Sequence, residues 1–518
     1  MSTDAQRCIL SIDLGTSGPK VALVADDGTI EASASRAVTT ISVGASGAEQ
    51  DPEEIWRAIR GAARQVLGEA GRPPGDIVGV TCASHYFSTV PVDRAGMATM
   101  NLLLWMDGRG GPYSMKIYER CAEAPLRWIE AHGMPPLPSG NDSLSHMLFI
   151  QSERPDVYER TYKFVEPMDY VTARLTGEVT ANACTAFAML LTDNRQPDSI
   201  SYSDELISMS GLDRDKLPDL VARNLQVGVV TDETARDWGL APGTAVFSGT
   251  NDTQAVCVGS GAYTGCDGGI NIGTTCQVLA SAPSAGMDME NAIVSMPSPI
   301  PGQYMSMAEN GLGGKVLEHF LNHVAFANDA LVDHSTEDAY ARLDTVLAGE
   351  PAGSGGLLFL PWLAGSQSPQ FNPNARGGFL NMSLETTRTR MLRAIVEGVS
   401  FNLRWLLPAV EKFAGTEFSA VRFAGGCALS DQWAQILADV TGRPVKQLAE
   451  ARYVVNRATA LLGFVQLGCL DYDDLAKVCR VKHVYEPDSE RRKVYDRAFE
   501  QFLAAYKQNL PIFEALNG

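Results

Sequence analysis

Asp13-Leu14-Gly15-Thr16-Ser17-Gly18 closes an apolar run with a carboxylate, two glycines and two hydroxyls. An acid at a strand end can hold Mg²⁺ through water, and Gly15, Thr16 and Ser17 can offer N–H and O–H groups to the β- and γ-phosphates of a nucleotide. The same residues also make an Asx-turn with glycine at positive φ. Lys20 follows on the next strand, either as a further phosphate partner or as a solvated strand residue. Gly249-Thr250-Asn251-Asp252-Thr253 precedes the apolar run Ala255 to Val258, which puts Asp252 at or near a helix N-cap. There the dipole and N–H donors favour an ionised carboxylate that could take a hydroxyl proton during phosphoryl transfer. On its own the segment reads first as a cap, since Asn and Asp are the commonest capping residues. Gly425-Gly426-Cys427-Ala428-Leu429-Ser430 is a tight strand-to-helix turn over which an adenine could lie, and such turns are common. Gly311-Leu312-Gly313-Gly314-Lys315 is similar, but no Ser or Thr follows Lys315 as a Walker A loop requires. Ser84-His85-Tyr86 and Trp105-Met106-Asp107-Gly108-Arg109 carry hydrogen-bonding groups suited to a polyol, although a lone His such as His85 is more often a satisfied structural residue than a functional one.

The elements that must position these residues are legible in outline. Cys8 to Ile12, Val21 to Val24 and a strand from Ile30, joined through Asp27-Gly28, read as a meander. Asp51-Pro52-Glu53-Glu54 starts a helix, with Asp51 as cap and Glu54 closing a capping box, and Ile55, Ile59, Ala62 and Val66 lie on one face. A strand at Ile77 to Cys82 completes a β-β-β-α-β opening. Gly269-Ile270-Asn271-Ile272-Gly273-Thr274-Thr275-Cys276 echoes residues 11 to 18 and is followed by a second apolar strand, Gln277 to Ala280. Two related halves are expected, 1–258 and 259–518, closing on one nucleotide. Amphipathic helices follow at Arg388 to Leu407 and after Gly426, where Trp433, Ile436, Leu437 and Val440 share a face.

The bulk numbers bound the function. A chain of 518 residues holds two or three domains, and 45% hydrophobic with 20% charged residues is ordinary globular composition. The net charge of -19 opposes a nucleic-acid partner, because a phosphate backbone needs clustered Lys and Arg. A single nucleotide can still be held by backbone N–H groups and Mg²⁺. The ten cysteines show no zinc spacing and read as reduced core or semi-buried thiols. The N-terminus carries no signal-peptide core, and the longest apolar stretches are too short to span a bilayer, so a cytoplasmic protein with no membrane partner is expected.

Taken together and in order, the segments resemble the FGGY family of carbohydrate kinases over about residues 7 to 470. The match runs through Ile12 to Ser17 as first phosphate motif, Glu49-Gln50-Asp51-Pro52, Trp105 to Arg109, Asp169-Tyr170 with Leu175-Thr176-Gly177-Glu178, and Gly249 to Asp252. It continues through Ile272 to Thr275 as second phosphate motif, Gly313-Gly314, Pro361 to Gly365 with Ser368-Pro369, Arg393-Ala394 with Glu397-Gly398, and Gly425 to Ser430. The resemblance implies an α/β chain of two ribonuclease-H-like domains of the actin/Hsp70 type with a nucleotide cleft between them. It implies ATP at Gly15, Thr16, Ser17, Lys20, Gly273, Thr274, Thr275, Gly313, Gly314, Gly425, Gly426 and Ser430. It further implies Mg²⁺ at Asp13 and Asp252, Asp252 as catalytic base, and a sugar at Ser84, His85, Trp105, Asp107, Arg109 and Asp252.

Within the family the chain resembles xylulokinase-like members, where a Met-His-Gly segment touches the sugar and Asn often follows the catalytic Asp. Here those positions read Ser84-His85-Tyr86 and Asp252-Thr253. A pentulose such as xylulose is the expected substrate. Glycerol, erythritol, ribulose and fuculose, or an inactive ATP- and sugar-binding regulator, are the alternatives, and a homodimer is left open. The family's late small-residue helix motif is divergent here, reading Ala458-Thr459-Ala460, a departure that bears on the adenine-side packing and not on the chemistry.

Overall fold

The computed structural model describes residues 7–325, 340 and 342–518. The first sheet runs in the order Gln226–Val229, Ala245–Phe247, Ile77–Ser84, Cys8–Gly15, Gly18–Ala25, Ile30–Ser35. Its last three strands are the antiparallel meander, and Ile77–Ser84 lies parallel to Cys8–Gly15 after the helical crossover Pro52–Ala70. The second sheet repeats this plan. Tyr304–Leu312, Thr275–Ala282 and Asp267–Ile272 are antiparallel neighbours, and Ala420–Ala424 joins parallel to Asp267–Ile272 after the helix Arg388–Ala414.

Strand periodicity explains how the first motif is aimed. Leu10, Ile12 and Leu14 share a core with Ile55, Ile59 and Val66 of the helix Pro52–Ala70. Ile9, Ser11 and Asp13 therefore point to the opposite face. That face is covered by the helix Val454–Gln466, whose Thr459 Oγ1 lies 2.7 Å from Ser11 Oγ. Asp13 is the last side chain on this face before Gly15 and the hairpin turn.

Several boundaries differ from the sequence expectation. Asp51 caps its helix by accepting from Glu53 N at 2.9 Å, but Glu54 does not close a box, because its carboxylate accepts from Thr39 N at 3.1 Å. The helix from Arg388 continues to Ala414 past Pro408, stopping at Gly415 with φ 70°. The segment Ala458-Thr459-Ala460 lies where the two halves meet. Its helix, from the second half, packs on the first sheet and against Asp252–Ser260. The reason is room: a Cβ on Gly259 would lie 2.2 Å from Val454 O and 3.0 Å from Ala458 Cβ, so only small residues allow the two helices to meet. The terminal helix Ser489–Asn517 docks through a buried Arg393, Glu397 and Tyr495 triad, with Arg393 Nη2 donating to Tyr495 at 2.7 Å. Cys266 is exposed, not core, and no described helix is long and apolar enough to cross a membrane.

Candidate active site

The helix Asp252–Ser260 begins with a complete capping box that does not use Asp252. Asn251 Oδ1 accepts from Gln254 N at 2.7 Å, and Gln254 Oε1 accepts from Asn251 N at 3.3 Å. Asp252 is the first helical residue, and its Oδ1 accepts only from Thr253 at its own helix end, the amide at 2.7 Å. The cap reading of the sequence thus belongs to its neighbour. Burial pushes the Asp252 pKa up to about 7, reinforced by the negative charge of Asp13 and opposed by the Thr253 amide and the Lys20 ammonium. A carboxyl tuned to the neutral range beside other charged groups is what proton abstraction at pH 7 requires.

Asp13 is nearly buried and pairs with Lys20 Nζ at 2.5 Å, its cross-strand partner in the meander. The hairpin turn beyond them is held by Gln50 Nε2 donating to Thr16 O at 2.7 Å and by the Trp105 indole donating to Thr16 Oγ1 at 3.0 Å. In the second half, Gly273, Thr274 and Thr275 form the corresponding turn. A Cβ on Gly273 or on Gly426 would meet no atom within 4 Å, so both face open space that a ligand can approach closely. Gly425 differs: its φ is 90° and a Cβ would sit 2.5 Å from Ile272 O, so it makes the turn.

Some residues expected at the ligands are engaged elsewhere. The amides of Gly313 and Gly314 donate to Thr274 O at 3.0 Å and Gly273 O at 2.8 Å, which makes them props for the second phosphate turn. Ser430 caps the helix Asp431–Thr441, accepting from Trp433 N at 3.0 Å and donating to Asp344. Asp107 is fully buried, and its oxygens accept from Ala48 N at 2.9 Å and from Arg109 Nε and Nη2. Arg109 also bonds Glu49 at 2.7 Å. This closed network fixes the loop carrying Trp105 and leaves neither oxygen of Asp107 free for a sugar. The Ser84 hydroxyl is likewise spent on His85 O at 2.7 Å.

His85 keeps a free end. Its Nδ1 lies 3.0 Å from Ser88 Oγ, which already accepts from Trp105 N at 2.9 Å. Among the described residues the Ser88 hydrogen has no other acceptor, so it goes to Nδ1 and the ring hydrogen sits on Nε2. That buried Nε2 has no partner. Burial lowers the His85 pKa to about 4, so the ring is a neutral donor at pH 7.

Two members of the site go beyond the site residues expected from the sequence, although Tyr86 belongs to the Ser84-His85-Tyr86 segment singled out there. Glu309, on Tyr304–Leu312, carries a carboxyl within electrostatic range of Asp252, and burial pushes it up to about 7. Tyr86 lies beside Asp252, Thr253 and Glu309. Glu309 lies two residues before the Gly311-to-Lys315 segment but outside any motif read from the sequence, and the pairing of Gln277 with Glu309 across two strands brings it to the site.

Among the described residues no three His, Cys, Asp or Glu side chains form a ready-made metal cage. The donor set therefore suits a cation held by one carboxylate with water and ligand oxygens, as Mg²⁺ often is, and not an all-protein site.

Family models for the FGGY family of carbohydrate kinases match residues 8–259 (N-terminal domain) and 268–466 (C-terminal domain). The chain is 25% identical over 505 residues to a xylulose kinase of Staphylococcus epidermidis, covering 97% of both chains. It is 26% identical over 479 residues to an autoinducer-2 kinase of an Enterobacter species, covering 90% of this chain and 87% of that one. The structure of a gluconate kinase from Lactobacillus acidophilus superposes with a TM-score of 0.84 at 20% identity, covering 99% and 100% of the two chains, and shows the same fold.

Proposed function

The chain belongs to the FGGY family of carbohydrate kinases, and from that premise we propose that it transfers the γ-phosphoryl group of ATP to a hydroxyl of a small ketose, a pentulose such as xylulose. The observation that carries the reading is Asp252, a half-buried carboxyl at a helix start, relieved of capping by Asn251 and tuned to the neutral range. Its carboxylate takes the proton of the attacking hydroxyl as the new oxygen–phosphorus bond forms. The bond from the γ-phosphorus to ADP breaks, and the proton stays on Asp252. Gly15, Thr16, Ser17 and Lys20 from one half and Gly273, Thr274 and Thr275 from the other hold the phosphates, with the adenine over Gly426. Asp13 would hold Mg²⁺, which neutralises charge on the phosphates when bound.

The xylulose kinase relative supports the choice of a ketose, as does the neutral Nε2 donor of His85. Replacing His85 by Ala is expected to lower sugar kcat/KM by about 5- to 100-fold, the cost of an unpaired polar partner, and to leave the ATP KM in place. Steady-state kinetics with each substrate varied in turn checks this division. The pKa of Asp252 predicts a second result. The base works only when deprotonated, so kcat/KM for the sugar should fall as pH drops through about 7 and level off above it. A profile flat across about pH 5 to 8 would contradict the assignment.

ADP release measured across pentuloses, hexuloses, polyols and aldonates tests the substrate class. Stimulation by a ketose is the expected outcome, and the absence of any sugar-dependent release would overturn the reading.

A further inference from the structure

Glu309 is a carboxyl without an assigned task in the most sensitive part of the molecule. Its strand, Tyr304–Leu312, pairs with Thr275–Ala282 in a register that slips by one residue between Gln277↔Glu309 and Cys276↔Gly311. Asn310 is the extra residue, and its side chain is tied to Ser368 O at 2.9 Å and Asn402 O at 3.2 Å. A bulge of this kind re-aims the neighbouring side chain. Here it places Glu309 beside Gln277, on the sheet face that meets the start of the helix Asp252–Ser260. Gln277 itself crosses to that helix, donating through Nε2 to Thr253 Oγ1 at 3.1 Å.

The second half therefore reaches the residue next to the base. Glu309 Oε1 is buried and has no hydrogen-bond partner, while the carboxyl as a whole lies near the Thr275 and Gln277 side chains and the Gly311 backbone, which favour its charged form. On the first half, His85 Nε2 is the corresponding orphan. Tyr86 joins the two, following His85 in the chain and lying within electrostatic range of both Asp252 and Glu309. Buried polar atoms normally find partners, and an unpaired donor and an unpaired acceptor on either side of Tyr86 call for a ligand that both donates and accepts. A hydroxyl does both.

The surrounding charge narrows the ligand further. Asp13, Asp252, Glu309 and Glu166 supply carboxyls, while the cations nearby are engaged: Lys20 by Asp13, and Arg109 by Asp107 and Glu49. A sugar acid would bring another carboxylate beside these carboxyls, where the nearby cations among the described residues already face acids or serve the phosphates, whereas an uncharged polyhydroxyl compound meets no such penalty.

We propose that Glu309 is a substrate-contact residue contributed by the second half, bonding a hydroxyl next to the one that Asp252 deprotonates and selecting uncharged ketoses or polyols over aldonates. This rests on the kinase reading above. It makes the acceptor site a joint product of both halves, so the sugar itself favours their closure.

The test uses the full chain with Glu309→Ala and the isosteric Glu309→Gln, each checked for an unchanged melting temperature. D-xylulose, or the best uncharged substrate of the ADP-release screen, is compared with D-gluconate. ADP affinity and the Mg²⁺ concentration for half-maximal rate are measured in parallel. Glu309→Ala should lower kcat/KM for the uncharged sugar by about 10- to 100-fold, mainly through KM, the range for a lost hydrogen bond to a charged group. Glu309→Gln should recover part of the loss and narrow the discrimination against gluconate. ADP affinity and the Mg²⁺ requirement should stay as in the wild type. Unchanged sugar kinetics in a folded Glu309→Ala would overturn the proposal, and so would a loss confined to ADP or Mg²⁺. Wild-type chain that turns over no uncharged sugar would instead overturn the kinase reading beneath it, whatever the variants do.

Discussion

Replacing Asp252 by Asn is expected to lower kcat by about 100- to 10,000-fold, the share contributed by a well-placed general base, while the fold and ATP binding persist. The fold should survive because the helix start is secured by Asn251 and Gln254, whose reciprocal bonds do not involve the Asp252 side chain. Asn can still accept from the Thr253 amide, as Oδ1 of Asp252 does at 2.7 Å. What it cannot do is take a proton. The variant should also lose the fall in rate below about pH 7, since the group that titrates there is gone. An unimpaired kcat in a folded variant would remove Asp252 from the chemistry.

Replacing Asp13 by Asn should act through the metal and the nucleotide, with a loss of about 10- to 100-fold at low Mg²⁺, the scale of one interaction with a charged group. The Mg²⁺ concentration for half-maximal rate should rise, because one carboxylate is the protein's main offering to a cation here. A second consequence separates this residue from a turn-forming one. The Asp13 charge helps to raise the Asp252 pKa, so its removal should shift the acid limb of the pH profile below about 7. Burial of Asp252 remains, so the limb should not fall to an ordinary carboxylate value. Unchanged Mg²⁺ dependence together with an unmoved limb would return Asp13 to the Asx-turn reading, in which its role ends at the hairpin.

Much of this architecture is readable from the sequence because the relevant signals are local. The meander around Asp27-Gly28, the strand Ala420–Ala424 and the likeness of residues 269–276 to residues 11–18 all rest on alternation and turn residues, and the two sheets do share one strand plan. What escaped was set by long-range pairing. Asp252 and its capping neighbour Asn251 cannot be told apart by propensity, since both favour helix starts. Glu54 follows Asp51 at capping-box spacing yet turns to Thr39, a partner from another segment. Asp107 and Arg109 look like ligand groups in a polar loop, but their spacing of two lets them satisfy each other. Ala458 and its neighbours are small because Gly259 of the helix Asp252–Ser260 comes so close, a contact nearly two hundred residues apart in the chain. Glu309 stands just before the Gly-rich Gly311-to-Lys315 segment, yet its own role is hidden in the sequence, since a bulge one residue away decides where it points.

The central claim is that this chain moves the γ-phosphoryl of ATP onto an uncharged sugar with Asp252 as base. The most direct measurement incubates the wild-type chain and Asp252→Asn with ATP labelled in the γ-phosphate and D-xylulose, then separates the sugar phosphate from nucleotide and inorganic phosphate. The account predicts label in the sugar fraction in step with ADP release for the wild type, and a loss of at least about 100-fold for the variant. Label appearing only as inorganic phosphate, or equal transfer by both proteins, would contradict it.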